Sequence, residues 1–196
     1  IDILMKDRDI GKSIEFLKTI LDKLSAKQVP IDKLIISKSL RSIYKKPDQI
    51  AHAVLSRRIG EREPGNKPSA GDRIPYVYII NNNATLQGEQ IETPEYITKE
   101  SLKIDYVHYI TNQIMKPVVQ IYSLVLYDMK EFQRRKRSFI QELKTLQANT
   151  PHEKYLEKEQ KLKDAEVTKI IFDKYIRIGN NIKQNNNMIT SFFKPV

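Results

Sequence analysis

Cysteine is absent from the 196-residue sequence, and this absence removes several classes of protein at once. Without thiols the chain cannot form a disulfide scaffold, a zinc ribbon, an iron–sulfur site or a cysteine nucleophile. A reducing compartment is compatible with this composition but is not required by it. Long apolar runs are also missing, because the best candidate, Ile110 to Tyr127, is interrupted by polar residues and Pro117. The sequence therefore predicts no bilayer-spanning helix, and its start lacks the basic and apolar regions of a secretory signal.

Catalytic signatures are equally scarce. The three histidines, His52, His108 and His152, form no HxxxH or HExxH pair, and the segment Gly60 to Gly71 lacks the Gly-Lys-Ser/Thr ending of a phosphate-binding loop. His52 and His108 lie beside apolar residues, which predicts packed or capping side chains. Most carboxylates lie three or four residues from a lysine, a pattern typical of solvated helix faces. We therefore predict no catalytic residue and no metal site in this chain.

Positive charge is in excess, with 34 Lys and Arg against 24 Asp and Glu, or +10 at pH 7. Such an excess favours a polyanionic partner, nucleic acid first and an anionic membrane surface second. The membrane alternative is the weaker one, because no cationic helix rich in Leu or Trp stands out. The hydrophobic share of 40% is enough for a core, and the length fits one large domain, alone or with an appendage. The first residue is Ile1 rather than Met, which predicts a fragment or a processed product.

The spacing of apolar residues predicts a mainly α fold with a few short β-strands. Asp9 to Leu24 is expected to be a helix that Asp9 caps and whose apolar side chains share one face. Strands are predicted at Lys33 to Leu40 and at Ile74 to Ile80. A helix is expected after Pro47, and a loop rich in Pro and Gly from Glu61 to Asp72.

The second half of the sequence is predicted to be helical with one interruption. Asp105 is expected to cap a helix that kinks or breaks at Pro117, because proline lacks an N–H and clashes one turn back. Met129 to Gln147 and Glu153 to Ile176 are charged and helical in pattern. Gly179 to Asn187 is expected to be a polar linker.

Basic residues cluster around the predicted strand and helix ends of the first half. Each Lys or Arg that faces a DNA phosphate releases counterions, and no aromatic ladder suited to single strands is present. The alternative is a generally basic surface without a ligand. We predict duplex DNA contacts from Lys38, Arg41, Arg57, Arg58, Lys67 and Arg73. The basic run from Arg134 to Arg137 has three interpretations: a solvated helix face, a duplex contact or a nuclear import patch.

The segments Gly65 to Ile79 and Ser101 to Tyr122, with LIISKSL and Ile1 to Asp7 upstream of them, carry several motifs in one order. Together they resemble the C-terminal thumb region of B-family DNA polymerases. GNKPSAGDRIPYVYI (Gly65 to Ile79) resembles the family's Pro/Ser loop, Gly-Asp-Arg and Ile/Val-Pro-Tyr-Val strand. SLKIDYVHYITNQIMKPVVQIY (Ser101 to Tyr122) resembles its Leu-x-Ile-Asp helix, which ends on a Gln and a Pro. LIISKSL resembles its strand ending in Ser/Thr-Lys-x-Leu, with Lys38 as the lysine, and Ala51-His52 lies where the family often has His-Val. IDILMKD (Ile1 to Asp7) is similar to the exit from the palm, with Met5-Lys6-Asp7 replacing Arg-Arg-Asp.

The resemblance implies a fragment that wraps primer–template duplex through its backbone and minor groove, and so supports processive synthesis. It adds Lys6 to the DNA-contacting residues and places the catalytic aspartates, with their Mg²⁺, in a palm that precedes Ile1. It implies four parts: the palm exit (1–8), the thumb core (9–127), a charged helical extension (128–178) and a flexible tail (179–196). Because the family's cellular eukaryotic members end in cysteine-rich modules, the missing cysteines fit an archaeal or a large DNA virus origin, and the viral origin is favoured. The expected location is intracellular, in the nucleus or at a cytoplasmic viral replication site.

The tail resembles a sliding-clamp-binding box. That box is a Gln, an aliphatic residue three positions later and two aromatics after three more, and here Asn186, Ile189, Phe192 and Phe193 occupy those places. Such a short helical turn plugs an aliphatic side chain and two rings into one apolar pocket. Docking of the two phenylalanines on the protein's own core and a chance match are the alternatives.

Two functional hypotheses follow from the whole sequence. The first is part of an enzyme, the thumb of a DNA-directed DNA polymerase, whose partners are duplex DNA, the remainder of the polymerase chain and a sliding clamp. The second is a free-standing DNA-binding or clamp-tethered accessory protein without catalysis. Residues upstream of Ile1 distinguish the two.

Overall fold

The computed structural model describes residues 2–181, which form two compact units. Residues 2–26 and 110–181 form the first, here called the helical unit. Residues 27–109 form the second, here called the sheet unit. The segment 182–196, which contains the whole clamp-box motif, lies outside the described residues.

The helical unit consists almost entirely of helices. A π-helical turn covers Ile3–Asp7, and the α-helices are α1 (Ile10–Ser25), α5 (Met115–Leu124), α6 (Lys130–Gln133), α7 (Lys136–Ala148) and α8 (His152–Ile171). A 3-10 turn at Leu126–Asp128 links α5 to α6. Residues 173–181 are helical again after a turn at Phe172. The predicted helix from Glu153 to Ile176 is therefore interrupted at Phe172, a fully buried side chain.

Helix α1 follows its sequence closely. The Asp9 side chain accepts a hydrogen bond from the backbone N–H of Lys12, as an N-cap does. Ile14, Leu17 and Leu21 lie on one buried face at spacings of three and four residues. This confirms both the predicted helix and its cap.

Pro117 lies in the first turn of α5, where a missing N–H costs least. It is preceded by a π-helical segment, Tyr109–Ile114, which joins the short helical turn α4 (Tyr106–His108) to α5. The wider π turn moves the preceding carbonyl groups out of α-helical register. The predicted interruption therefore takes the form of a π turn upstream of the proline, and Asp105 caps the start of α4 by accepting from the His108 backbone N–H.

The core of the helical unit is aromatic at its centre. Phe132 and Phe139 are fully buried and meet edge to face at 5.3 Å, with Tyr127 against both rings. Polar contacts fix the helices around this core. The Tyr122 hydroxyl on α5 hydrogen-bonds the Ser13 hydroxyl on α1 at 2.9 Å.

The sheet unit is built around a three-stranded antiparallel sheet of order β1-β2-β3. Its strands are β1 (Ile36–Ser39), β2 (Arg73–Tyr78) and β3 (Ile91–Glu92), and its helices are α2 (Ala51–Arg62), α3 (Pro94–Lys99) and α4. In register, Ile36 pairs with Tyr76, and Ser39 with Arg73, while Tyr78 pairs with Ile91. Short 3-10 turns complete the unit at Ile31–Leu34, Pro47–Gln49, Pro64–Asn66 and Gln87–Gln90.

Proline residues shift two of the predicted boundaries. The strand predicted from Lys33 begins only at Ile36, because a 3-10 turn after Pro30 includes Lys33 and Leu34. The loop predicted from Glu61 begins at Glu63, since α2 runs to Arg62 and Pro64 then holds Glu63 out of the helical conformation. The structure confirms a mainly α fold with a few short strands. Among residues 2–181, no helix has the length and apolar character needed to cross a bilayer.

Helical structure also continues through residue 181, so Gly179 and the next two residues belong to a helix rather than to the predicted linker. The linker prediction for the remaining residues concerns a segment that the structure does not describe.

Candidate nucleic-acid interface

The Gly71-Asp72-Arg73 motif forms a turn that leads into β2. Gly71 has a φ of +98°, a left-handed conformation that side chains with a Cβ rarely adopt. Its N–H donates to the Leu40 carbonyl, and the Asp72 carboxylate accepts from the Ser69 N–H at 2.7 Å. The turn thereby holds the start of β2 next to β1, which fixes the position of Arg73, the first residue of β2.

Arg73 is exposed, and its guanidinium group is hydrogen-bonded to β1. Its guanidinium donates to the Ser37 hydroxyl at 3.1 Å and to the Ser37 carbonyl at 3.2 Å. Side chains alternate between the two faces of a strand, and Lys38, next to Ser37, is exposed on the opposite face of β1. Arg73 and Lys38 therefore flank the same end of the sheet from two sides.

Arg41 lies in the segment that follows β1, and it is also exposed. Its backbone N–H donates to the Tyr44 hydroxyl at 2.8 Å, and that hydroxyl lies 3.0 Å from Nε2 of His52 in the first turn of α2. Burial lowers the pKa of His52, and the positive charges of Lys38 and Arg41 lower it further, while a hydrogen bond to the Ser39 backbone opposes them. Lys38 and Arg41 therefore lie close enough to act on one imidazole, and the structure brings these two predicted residues together.

Two further predicted residues lie along α2. Arg57 is exposed and forms an ion pair with Asp48, with 2.9 Å between Nη1 and Oδ1. Lys67 is exposed, and its aliphatic stem crosses Gly60, because a Cβ added there would lie 2.8 Å from Lys67 Cγ. Both cations stay at the surface, where an exposed pair such as Arg57–Asp48 is weak and can exchange partners.

Arg58 has a structural role in the fold. Its guanidinium donates to the Glu92 carboxylate at 3.2 Å and to the carbonyl groups of Gly88 and Ile91. Arg62, one turn later on α2, donates to the other oxygen of Glu92 at 2.8 Å and lies over the Tyr96 ring. The two arginines thus hold α2 against β3, and a DNA contact from Arg58 stays a prediction that competes with these bonds.

The helical unit carries the remaining basic candidates. Lys6 is exposed in the π-helical turn at the start of the described chain. In the basic run, Arg135 pairs with the buried carboxylate of Glu166 and so ties the start of α7 to α8. Arg134 and Arg137 are exposed. One member of the run is therefore structural, and the three interpretations of the other residues stay open.

Sequence reasoning missed the polar contacts that position these cations. Arg58 and Arg62 are spaced to share a helix face, but their acceptor Glu92 is 30 or more positions away in a two-residue strand. The Tyr44–His52 contact likewise joins a loop to a helix. His108 has the packing role that its sequence predicts, since its ring stacks on Tyr78 at 3.5 Å.

The described residues offer no donor set for a divalent cation. Within residues 2–181 the His, Asp and Glu side chains form no group of three or more that could hold a metal ion. The described residues therefore do not fit the Mg²⁺ of a polymerase.

Comparison with known proteins places the chain in a family. The family model described as DNA polymerase family B matches residues 1–125. A DNA polymerase of Pyramimonas orientalis virus is 40% identical over 202 aligned residues, covering 98% of this chain and 16% of the viral protein. A DNA polymerase of Acanthamoeba polyphaga mimivirus is 49% identical over 140 residues, covering 68% of this chain and 8% of that protein. A DNA polymerase delta catalytic subunit of Caenorhabditis elegans is 33% identical over 129 residues, covering 65% of this chain and 12% of that protein.

The chain therefore belongs to DNA polymerase family B, as its motifs predicted. It spans only between 8% and 16% of the length of these three relatives. The family model stops at residue 125, whereas the first viral relative matches nearly the whole chain, including most of the charged helices beyond Tyr127.

Proposed function

We propose that this chain is the thumb region of a DNA-directed DNA polymerase and that it grips the primer–template duplex during synthesis. The observation that carries the proposal is the presence of three exposed cations at one end of the sheet, Lys38 and Arg41 near one imidazole and Arg73 on the opposite face, in a chain that belongs to a polymerase family. The grip acts through the phosphate backbone and the minor groove. It raises processivity by lengthening the time before the polymerase leaves its template.

Electrostatics supplies the mechanism. A cation that neutralises a phosphate releases condensed counterions, so each contact adds affinity that falls as salt is added. Contacts of this kind fix the position of the protein on the duplex and do not depend on the base sequence. A replicative polymerase needs this property, because its thumb must hold whatever sequence has just been made.

The proposed division of labour leaves catalysis to the palm, which holds the catalytic aspartates and Mg²⁺. In this chain, residues 1–8 are the exit from the palm, 9–127 the thumb core and 128–178 a helical extension, with a tail at 179–196. The matched relatives carry the names DNA polymerase and DNA polymerase delta catalytic subunit, which favours the enzyme over a free-standing accessory protein. Viral and cellular relatives together support an intracellular replication site, with a viral origin favoured.

Duplex binding by the 196-residue chain tests the grip. Lys38→Ala with Arg41→Ala should weaken binding to a primer–template duplex about tenfold in 0.1 M salt. The slope of log affinity against log salt concentration should become less negative by roughly 2. The matched control is Lys99→Ala with Lys103→Ala, two exposed lysines of the same unit, which removes the same charge. Fluorescence anisotropy measures both variants. Equal weakening by the two pairs would show that net charge alone binds DNA and would overturn the assigned site.

We also propose that the tail binds a sliding clamp through Asn186, Ile189, Phe192 and Phe193. The proposal rests on the sequence pattern alone. A peptide of residues 179–196 should bind a clamp with micromolar affinity, and Phe192→Ala with Phe193→Ala should abolish binding, because the rings are the anchors. Calorimetry with the clamp of a large DNA virus measures it, and absence of binding by the unaltered peptide at micromolar concentration removes the claim.

A further inference from the structure

Residues 40–46 are held to the rest of the sheet unit by a closed chain of polar contacts. The Arg41 N–H donates to the Tyr44 hydroxyl oxygen at 2.8 Å, and this hydroxyl lies 3.0 Å from Nε2 of His52. The two rings meet edge to face at 5.8 Å. The His52 ring also hydrogen-bonds the backbone of Ser39, which returns the chain of contacts to β1.

The direction of each hydrogen bond follows from the inventory of donors. The bond to the Ser39 backbone favours the protonated ring, so a ring N–H donates to the Ser39 carbonyl. A neutral imidazole has one N–H and one acceptor nitrogen, which leaves Nε2 to accept from the Tyr44 hydroxyl. The Tyr44 hydrogen therefore points inward, and its oxygen receives the Arg41 N–H.

Two positive charges act on this ring. From β1 it faces Lys38 and the Ser39 backbone, and from the segment 40–46 it faces Arg41 and the Tyr44 hydroxyl. Asp48, a nearby acid in the sequence, is paired with Arg57. Burial and the two cations lower the pKa of His52 from 6.5, so the imidazole is neutral at pH 7.

A phosphate between the two cations would change this balance. It would neutralise the charges that disfavour the imidazolium, and it would add a negative charge that favours it. Once Nε2 carries a proton it donates to the Tyr44 oxygen, and the Tyr44 hydrogen must turn to another acceptor. The Arg41 N–H bond to the same oxygen is kept, so the segment stays in place while its hydroxyl turns outward.

We propose that Lys38, Arg41, Tyr44 and His52 form one binding site for a phosphodiester of duplex DNA, in which His52 takes up a proton from solvent as the phosphate arrives. The only bond made is the N–H bond at Nε2, and the Tyr44 hydroxyl then donates to a phosphate oxygen. Lys38 and Arg41 contact the phosphate by charge, whereas His52 is a positioning residue that acts through Tyr44. This inference rests on the proposed grip on duplex DNA and deepens it.

The sign of the pH dependence is fixed by this arrangement. Bound phosphate raises the pKa of His52 above its value in the free protein, so the complex holds more protons than the free chain does. Affinity therefore increases as pH falls through the bound-state pKa, and the gain is lost as pH rises above it. The slope cannot exceed tenfold per pH unit for one proton.

Binding of the 196-residue chain to a 20-base-pair duplex, measured by anisotropy between pH 5.5 and 8.5 at constant low ionic strength, tests the inference. The unaltered chain should bind about threefold to tenfold more tightly at pH 6 than at pH 8. His52→Gln, with matched circular dichroism, should lose most of this gain. His152→Gln is the control, because it removes an exposed histidine of the helical unit and should leave the gain intact.

A second measurement follows the unaltered site directly. Proton NMR of the His52 ring, assigned by its disappearance in His52→Gln or by labelling, should give a higher pKa with duplex than without it. An unchanged pKa, or the same pH slope in His52→Gln as in the unaltered chain, overturns the inference but leaves the grip intact. Failure of the unaltered chain to bind duplex even at pH 6 in dilute buffer overturns the proposed function itself.

Discussion

Glu92 is a carboxylate only 4% exposed, and it holds the guanidinium groups of Arg58 and Arg62 at the junction of α2 and β3. Such a buried acid stabilises the fold only while its partners are present, because each charge has lost its water. Asp48 and Arg57 provide an exposed counterpart with a similar distance, 2.9 Å, and side chains that are 62% and 58% exposed. Burial, rather than geometry, distinguishes the two acids.

Glu92→Gln should therefore lower the free energy of unfolding by about 2–4 kcal/mol, because it leaves two partly buried guanidinium groups without a counter-charge. Asp48→Asn should cost less than about 1 kcal/mol. Urea unfolding followed by circular dichroism measures both. A loss of similar size in the two variants would contradict the role given to burial.

Tyr109 is a buried tyrosine whose hydroxyl carries two backbone contacts. It accepts from the Tyr78 N–H at 3.0 Å and donates to the Leu34 carbonyl at 2.8 Å. Desolvation raises the pKa of this hydroxyl to about 12. Because the folded-state pKa exceeds the unfolded value near 10, the stabilisation is complete below pH 10 and is lost as pH rises toward 12.

Tyr109→Phe should cost about 1–3 kcal/mol at pH 7, since it leaves a buried N–H unpaired, and it should remove part of the alkaline loss of stability. Tyr106→Phe is the matched control, because the Tyr106 hydroxyl makes one longer bond, 3.3 Å to the Val29 carbonyl. Thermal melts from pH 7 to pH 11 compare the two. Identical melts for both variants would argue against a stabilising role for the two hydrogen bonds of the Tyr109 hydroxyl.

Individual residues also mark the limit of prediction from sequence. The helical positions of Arg58 and Arg62 were predictable, but charge and position alone did not separate Arg58 from Arg57. Their difference depends on Glu92, which the chain brings to α2 only after a turn, a strand and another turn. Long-range partners of this kind leave no periodic pattern in the sequence.

At the scale of elements, the turn Gln87–Gln90 approaches α2 closely at Gly88. A Cβ at Gly88 would lie 2.5 Å from the Val54 Cβ, a distance that real structures do not tolerate. Gly88 thus lets β3 come close enough for Glu92 to reach Arg58 and Arg62. Gly65, in the turn Pro64–Asn66, has open space around its Cα instead.

Gly88→Ala should destabilise the protein by about 1–3 kcal/mol, because the helix or the turn must move to admit the methyl group. Gly65→Ala should change stability by less than about 0.5 kcal/mol. Denaturant unfolding measures the pair. Equal stability of the two variants would mean that α2 and the turn separate more easily than their packing indicates.

Element boundaries were predictable where local chemistry decides them. Asp9 and the apolar face of α1 locate that helix to within a residue at each end. Pro117 indicated an interruption, yet nothing in its vicinity specified a π turn from Tyr109 to Ile114 rather than a kink. Tyr109 and Ile110, the first two residues of this turn, are buried in the folded protein.

At the scale of the whole molecule, the net charge of +10 is spread over both units, and only part of it is available to a polyanion. Arg58, Arg62 and Arg135 are engaged with buried carboxylates. The family membership was predictable from motif order, whereas the duplex grip stays a proposal that rests on motif order and charge. The division of cations into structural and available ones was not, because it is a property of the folded surface.

In a polymerase that contains this chain, Lys38→Ala with Arg41→Ala should shorten the products made per binding event severalfold while leaving single-nucleotide incorporation nearly unchanged. The reason is that, in the proposed grip, these residues hold DNA after the chemical step has passed. Primer extension with a trap for free polymerase measures product length, and Lys99→Ala with Lys103→Ala serves as control. An unchanged product length rejects the assignment.

The helical unit is assembled from two stretches of chain, residues 2–26 and 110–181, with the whole sheet unit encoded between them. On the ribosome, α1 therefore emerges several seconds before α5 and α8 exist, at roughly 5–20 residues per second. During that interval the apolar face of Ile14, Leu17 and Leu21 is present without the later helices of the same unit. Until then this apolar helix face is exposed to non-native association. Translation speed and chaperone supply would therefore govern how much of the product folds correctly.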